Sequence, residues 1–217
     1  MDFTIKIKLR GCVMNKLYYR YGAMGSSKTA QALMIKFNYE QKGFKVFLFK
    51  PKYDNRCVEN GTAYVASRIG LKSECIEFAC DDVFMDLCEK HGILNEDAVK
   101  KNVIIVDECQ FMTKAQVEQL KELSVYVPVL CFGLLTNYKT ELFEGSKRLI
   151  ELADSFSEIK SICKCGRKAT VNARLNNGKI ITDGNEVEIG GDDRYEGMCY
   201  NCYKKKLSAQ NSVVQSV

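Results

Sequence analysis

The sequence predicts an α/β fold, a parallel sheet with helices on both faces, and three observations predict it. First, β-prone runs alternate with helix-patterned ones from Lys16 onward, as in strands joined by crossover helices. Second, Val103-Ile-Ile-Val106 and Val127–Leu134 are almost wholly apolar, as in strands buried on both faces. Third, Val106 is followed at once by Asp107-Glu108, which puts charge at the carboxyl end of a buried strand, where parallel sheets hold their ligands.

The elements follow in order. Lys16–Tyr21 is a short β-prone run that stops at Gly22. Ser27–Gln41 has Ala30, Leu33, Met34 and Phe37 at helical spacing, with Gly43 as its stop. Val46–Lys50 is a compact strand closed by Pro51, which has no N–H to give a ladder. Ala63–Ala66 and Cys75–Phe78 are weaker strands, and Asp81–His91 is a helix with acidic residues in its first turn. The one histidine, His91, precedes Gly92 and reads as a helix C-terminal cap without a catalytic part. Thr113–Leu123 is an amphipathic helix with Thr113 as N-cap and Gln116 three residues on. Pro128 fits the first positions of the Val127–Leu134 strand, and Gly145–Ala153 gives a last helix.

From about Ile159 the character changes to Cys-x-Cys-Gly, a stretch rich in Gly, Asn and Asp, and Cys-x-x-Cys. The chain therefore divides into an α/β domain over 14–158 and a small metal-pinned domain over 159–206. Residues 1–13 and the polar tail 207–217 read as flexible termini, with Met14 an alternative start directly before the first strand.

With 217 residues, 46% hydrophobic and 27% charged, the composition excludes wholesale disorder, collagen and coiled coil. No stretch approaches the roughly 20 apolar residues of a membrane helix, and residues 1–13 lack the apolar core of a secretory signal. No membrane partner and a cytoplasmic location are the expectation. The formal charge of +5 is spread along the chain, too weak to argue for nucleic acid.

Gly22-Ala23-Met24-Gly25-Ser26-Ser27-Lys28-Thr29 has the frame G-x-x-x-x-G-K-[ST], with Ser27 at the second glycine. Successive backbone N–H groups and a helix N-terminus form a concave anion site there. Lys28 reaches the outer phosphates and the Thr29 hydroxyl can ligate Mg²⁺. The loop places the α/β domain in the P-loop class, with a RecA-like sheet. Asp107 fits the acidic position that holds Mg²⁺ directly or through water. Glu108 projects differently; it can orient a water in an ATPase or take a proton from a substrate hydroxyl in a kinase. Asp54 and Arg56, just past Lys50-Pro51, lie on the same rim of the sheet, where an Asp–Arg pair suits Mg²⁺ and a transferring phosphate; taken alone they read as a solvated loop.

Eleven cysteines in a chain without an export signal argue against a complete disulfide framework. Cys12, Cys57, Cys75, Cys80, Cys88, Cys109 and Cys131 are scattered, and most read as small buried hydrophobes. Cys163, Cys165, Cys199 and Cys202 form two close pairs that suit a tetrahedral, structural Zn²⁺ with no open position; the C-x-C pair is tighter than the usual spacing, and a labile redox pair is the alternative.

Together, Gly-x-Met-x-Ser-x-Lys-Thr, Lys50-Pro51-x-x-Asp54-x-Arg56, Asp107-Glu108-x-Gln110-Phe111, Phe132-Gly-Leu-x-Thr-x-Tyr138 and Glu141-Leu-Phe-Glu-Gly-Ser146 resemble the type II thymidine kinases. Cys163-x-Cys165-Gly-Arg-Lys-Ala, Ile189-Gly-Gly-Asp-x-Arg-Tyr195 and Cys199-x-x-Cys202 extend the resemblance, in register from about Lys16 to Lys206. It implies transfer of the ATP γ-phosphate to the 5′-hydroxyl of thymidine, with Glu108 as general base. It also implies that Asp107, Glu108, Cys109 and Gln110 flank the nucleotide phosphates, that Thr29, Asp54 and Asp107 surround Mg²⁺, and that Arg56 faces the transferred phosphate. Met24, Phe111, Leu134, Tyr138, Phe143 and Tyr195 would surround thymine. The segment between the cysteine pairs, a lasso in this family, would hydrogen-bond the base edge through the backbone near Val187–Ile189, with zinc anchoring both ends. The chain departs from bacterial relatives at Leu135 and Asn137, where they usually carry Arg and Asp. A homotetramer and feedback inhibition by thymidine triphosphate belong to the same resemblance.

Two other functions compete. A P-loop ATPase or GTPase switch with a zinc ribbon would hydrolyse nucleotide without nucleoside, and no Asn-Lys-x-Asp guanine signature is present. A zinc-ribbon nucleic-acid binder would need a basic stripe, whereas Lys164, Arg167 and Lys168 are answered by Glu186, Glu188, Asp192, Asp193 and Glu196.

Overall fold

The computed structural model describes residues 16–53, 58–95, 99–184 and 194–214, with side chains to residue 210. In chain order the first half contains Leu17–Tyr21 (β1), Lys28–Glu40 (α1), Lys45–Pro51 (β2), Val58–Glu59 (β3), Thr62–Ala66 (β4), Lys72–Glu74 (β5), Ile76–Phe78 (β6) and Phe84–Lys90 (α2). Asn102–Val106 (β7), Lys114–Leu123 (α3), Val129–Gly133 (β8), Glu144–Leu152 (α4) and Ser155–Glu158 (β9) complete the α/β part. Val171–Asn176 (β10), Lys179–Ile180 (β11), Tyr195–Met198 (β12) and Tyr200–Val214 (α5) follow.

Six strands form one sheet in the order β6-β2-β7-β8-β1-β9, and every pairing in it is parallel. Alternation along the strands separates two cores. Leu17, Tyr19, Phe47, Phe49, Ile104, Val106, Val129 and Cys131 face α2, α3 and α4. Val46, Leu48, Val103, Ile105, Leu130 and Phe132 face Ala32 and Leu33 of α1. Residues of β7 are buried on both sides, hence its unbroken apolar run. This is the predicted α/β class. The predicted capping box is present at α3: Gln116 N–H donates to Thr113 Oγ1 and Thr113 N–H to Gln116 Oε1.

Some boundaries differ from the sequence expectation. The helix expected over Asp81–His91 begins only at Phe84. Asp82 Oδ2 accepts the Ala79 N–H at 2.7 Å, holding Asp81–Val83 in a turn, and Phe84 N–H is taken by Gln119 Oε1. His91 is the helix C-cap, as predicted. The strand expected over Val127–Leu134 is shorter by both ends, with Pro128 outside it. No strand was expected at β9, a polar edge strand, nor at β10–β12. The tail after Lys206 is helical as far as Val214, and Gln210 ties it down by hydrogen bonds to both Ile180 N–H and Ile180 O. Of the scattered cysteines, Cys88, Cys109 and Cys131 are buried, Cys75 is half-buried, and Cys80 is exposed; Cys12 and Cys57 lie outside the described residues.

The C-terminal part is a three-stranded antiparallel sheet, β11-β10-β12, with a core of Ala169, Val171, Ala173, Ile180, Met198 and Tyr203 around Cys163 and Cys199. A second small antiparallel sheet, β3-β4-β5, seats Val65 in the core on the α1 side.

Candidate active site

The glycine-rich turn joins β1 to α1 and opens at the carboxyl edge of the sheet. Gly22 is required by space: a Cβ there would lie 2.4 Å from Ile159 O and from Ser26 Oγ. Ser27 sits at φ 61°, ψ 30°, the left-handed conformation that glycine adopts without cost. The serine therefore keeps the glycine geometry. Lys28 is folded over the loop, its ammonium donating to Gly22 O (3.0 Å) and Ala23 O (3.1 Å). Burial pulls its pKa down, while Glu108 and Asp107 act in the opposite direction.

Asp107 directly follows β7, and Asp107 Oδ2 accepts the Thr29 hydroxyl at 2.9 Å. Burial, with the adjacent Glu108 carboxylate, raises Asp107 to about 7. The Thr29 hydroxyl and a carboxylate sharing one point, with a depressed lysine beside them, make a site short of a cation and of an anion at once. That donor set fits Mg²⁺ carrying nucleotide phosphates.

Glu108 takes φ 51°, ψ 37°, a left-handed setting uncommon for a residue with a bulky side chain. Its partner is explicit: Gln110 Nε2 donates to Glu108 Oε2 at 2.7 Å, and Gln110 Oε1 accepts Leu134 N–H at 3.0 Å. The Leu134 N–H can only donate, so it fixes which end of the Gln110 amide faces Glu108. Leu134 O in turn accepts the hydroxyls of Tyr19 (2.9 Å) and Ser146 (2.6 Å). Gly133 leaves room for this network, since a Cβ there would meet Gln110 Oε1 at 2.6 Å. Cys109 points the other way, fully buried in the core beside Cys131.

Beside this pair lies an aromatic cluster. Phe111 packs edge-on against Phe143 at 5.8 Å and tilted against Tyr53 at 5.6 Å. Tyr138 is buried, donates to Gly184 O at 2.8 Å and lies under the Arg174 guanidinium at 5.0 Å. Tyr195 is half-buried, and its neighbours Arg174, Tyr138 and Tyr53 all act on its phenol, which burial raises. Phe111 and Phe143 are thus in ring contact, and Tyr195 lies near Tyr138 and Tyr53. Asp54, Arg56, Val187 and Ile189 lie outside the described residues. Asn137 closes its own loop by accepting the N–H groups of Lys139 (2.9 Å) and Glu141 (3.0 Å) on Oδ1.

Sequence reasoning missed Asn172 and Tyr53. Asn172 is buried in β10, accepts Met24 N–H on Oδ1 and donates to Thr136 O, both at 2.8 Å. Met24 O meets Gly197, where a Cβ would come within 2.6 Å, and also accepts the Ser161 hydroxyl. The cysteine module thus reaches the phosphate loop directly. The only sequence signal was one polar residue between Val171 and Ala173.

The four cysteines converge, all Sγ atoms lying within 4.8 Å of one another and Cys165 and Cys199 at 3.6 Å. A tetrahedron of metal–sulfur bonds of about 2.3 Å has sulfurs about 3.8 Å apart, so the cluster fits one metal ion. Neighbouring backbone N–H groups lower Cys163 to about 6 and lower Cys199 too, while the surrounding thiols push Cys202 up to about 12. Among the described residues no helix is long and apolar enough to cross a membrane.

Comparison with known proteins adds a separate line. The family model for thymidine kinase matches residues 15–203. A thymidine kinase of Vibrio vulnificus is 43% identical over 89% of this chain and 99% of its own length. One from Rhodopirellula baltica is 38% identical over 89% of this chain and 90% of its own. Among solved structures, the Legionella pneumophila ATPase DotB covers 71% of this chain and 44% of its own at 15% identity with a TM-score of 0.35, too distant to bear on function.

Proposed function

Because the chain belongs to the thymidine kinase family, we propose that it transfers the γ-phosphate of ATP to the 5′-hydroxyl of thymidine, giving thymidine monophosphate and ADP. The observation that carries this reading is the meeting of Thr29 and Asp107 at 2.9 Å directly beside a Gln110-oriented Glu108. A phosphate cradle and a Gln110-held carboxylate stand just ahead of Phe111, whose ring contacts Tyr53 and Phe143.

In the reaction, the 5′-oxygen bonds to the γ-phosphorus as the bond from that phosphorus to the β–γ bridging oxygen breaks. Glu108 takes the 5′-hydroxyl proton. Phosphoryl transfer asks the protein for position and charge more than for covalent chemistry. Lys28 leaves the loop carbonyls for the outer phosphates, and the loop N–H groups hold their oxygens. Thr29, Asp107 and Asp54 would hold Mg²⁺, which neutralises charge on the β- and γ-oxygens when bound; Arg56 would face the transferred group. Phe111, Phe143, Tyr138, Tyr195, Leu134 and Met24 would grip the flat pyrimidine, with the backbone near Val187–Ile189 on its edge. A base of the wrong pattern would leave those backbone groups unpaired, a costly state.

The metal of the four-cysteine site is zinc in this reading, supported by the all-thiolate donor set and sulfur spacing. Its part is structural. A thiol-rich clamp is kept in a reducing compartment, which supports action in the cytoplasm. The homotetramer and feedback inhibition by thymidine triphosphate complete the reading; exposed Met34 and Phe37 of α1 and Phe156 of β9 offer apolar surface for self-association.

The test is ATP-dependent phosphorylation of thymidine by wild type and Glu108→Gln. Turnover requiring thymidine, with a loss of about 100-fold or more in the variant, is expected. ATP hydrolysis without nucleoside would instead support the ATPase alternative, and an unimpaired variant would remove Glu108 as base.

A further inference from the structure

The phosphate loop forms only part of its own cavity. The space over it, about 190 Å³, is lined by Met24–Ala30, by Glu108, and on a further side by Ala66, Ser67, Arg68 and Ile69. Those four residues end β4 and begin the turn to β5. Nothing in the β4–β5 hairpin belongs to the loop–strand–helix unit that supplies the phosphate site.

The turn is closed by its own hydrogen bonds. Ser67 N–H donates to Leu71 O at 2.8 Å, Leu71 N–H to Ser67 Oγ at 3.0 Å, and Gly70 N–H to Ser67 O at 3.1 Å. Gly70 takes φ 86°, which a side chain would resist. Below the turn, Val65 is anchored in the core against α1, and Ala63 O accepts Cys75 N–H. The hairpin therefore holds residue 68 at a set place on the rim.

We propose that Arg68 is a second phosphate-binding cation, presented by the β4–β5 turn across the cavity from Lys28 so that the triphosphate lies between the two. Two cations brought to one small cavity disfavour each other until a polyanion enters, and Lys28 and Arg68 line the same cavity. An arginine suits the place because its planar fork can meet two phosphate oxygens at once. Lys28 comes from the start of α1, and Arg68 from a separate small sheet, so nucleotide binding draws two independent elements together. This inference rests on the ATP site of the proposed function and adds a residue to it.

The experiment is calorimetric binding of ATP with Mg²⁺, and separately of thymidine, to wild type, Arg68→Ala and Arg68→Lys. Arg68→Ala is expected to weaken ATP at least tenfold, the worth of a charge-assisted contact, while thymidine affinity stays within twofold. Arg68→Lys should recover part of the loss. An alanine variant that binds ATP within fivefold of wild type overturns the proposal, as does an equal loss for thymidine. A parallel assay of thymidine phosphorylation by wild type judges the kinase reading independently, because ATP affinity is read without turnover.

Discussion

Met24 and Asn172, 148 residues apart, share one hydrogen bond: the loop N–H donates to the amide oxygen at 2.8 Å. The same amide donates to Thr136 O, so one side chain joins the phosphate loop, the β8 exit and the cysteine module. Asn172→Ala should leave a buried donor and acceptor unpaired, at about 1–3 kcal/mol. Tm should fall and the thymidine KM rise. Asn172→Asp keeps the acceptor for Met24 but loses the donor to Thr136, and should fall between the two in thermal unfolding and steady-state kinetics.

Gln110 holds the Glu108 carboxylate through its side-chain amide N–H. Gln110→Leu is expected to lower kcat about 10- to 100-fold with KM values nearly unchanged, the pattern of a misaimed base. Gln110→Glu should be no better, because it sets a second carboxylate against the first. Steady-state kinetics in both substrates would distinguish this from a binding defect.

Asp107 should tie stability and activity to pH in opposite ways. Burial and Glu108 raise it to about 7, so the folded chain without nucleotide holds a proton that the unfolded chain releases at its ordinary lower value. Stability therefore drops as pH rises through that window, and the full cost is present above pH 7. Asp107→Asn is expected to raise Tm at pH 8, to leave it unchanged below about pH 4, and to abolish most phosphoryl transfer. In wild type, kcat/KM should decline as pH falls below about 7, since a protonated Asp107 cannot hold the cation. Thermal unfolding and rate profiles over pH check both signs.

Ser27 carries a left-handed backbone on a residue with a Cβ. Ser27→Gly should remove that strain and stabilise the chain by about 0.5–1 kcal/mol, after allowing for the greater freedom of glycine when unfolded. Denaturant unfolding measures it. ATP affinity should change little, because the loop already has the glycine geometry.

Removing the metal from Cys163, Cys165, Cys199 and Cys202 should raise the thymidine KM before it abolishes ATP binding. The two cysteine pairs flank β10–β12, whereas the loop is held by β1 and α1 and, among the described residues, meets the module through Ala23 and Met24. Chelator titration with both affinities followed, and metal analysis giving one zinc per chain, checks it. Simultaneous and equal loss of both substrates would contradict the division.

Much of this was legible because the decisive signals are local. The loop's spacing, the Asp-Glu pair after an apolar run and the Thr113–Gln116 box each lie within a few residues, where backbone geometry alone dictates meaning. The four cysteines were legible because metal chemistry tolerates few arrangements. Other features depend on distant partners. Asn172 looked like one polar residue in a strand until Met24 and Thr136 arrived at its two ends. The start of α2 was misread because Asp82 takes up a backbone N–H in a turn instead of entering the helix. The tail beyond Lys206 is polar by composition, yet Gln210 finds both backbone groups of Ile180, which no periodicity reveals. Gly133 and Gly197 are strand residues whose small size matters only because Gln110 and Met24 press against them.

The contact of Met24 with Asn172, Ser161 and Gly197 bears on whether this protein can be divided. A chain ended at Glu158 would contain every residue of the nucleotide signature, yet the Met24 amide would lose its acceptor on Asn172. The part that carries the recognisable motifs is therefore not a portable nucleotide-binding unit. The chain's last quarter holds the backbone of the phosphate loop at Met24, and the two must be expressed and engineered together.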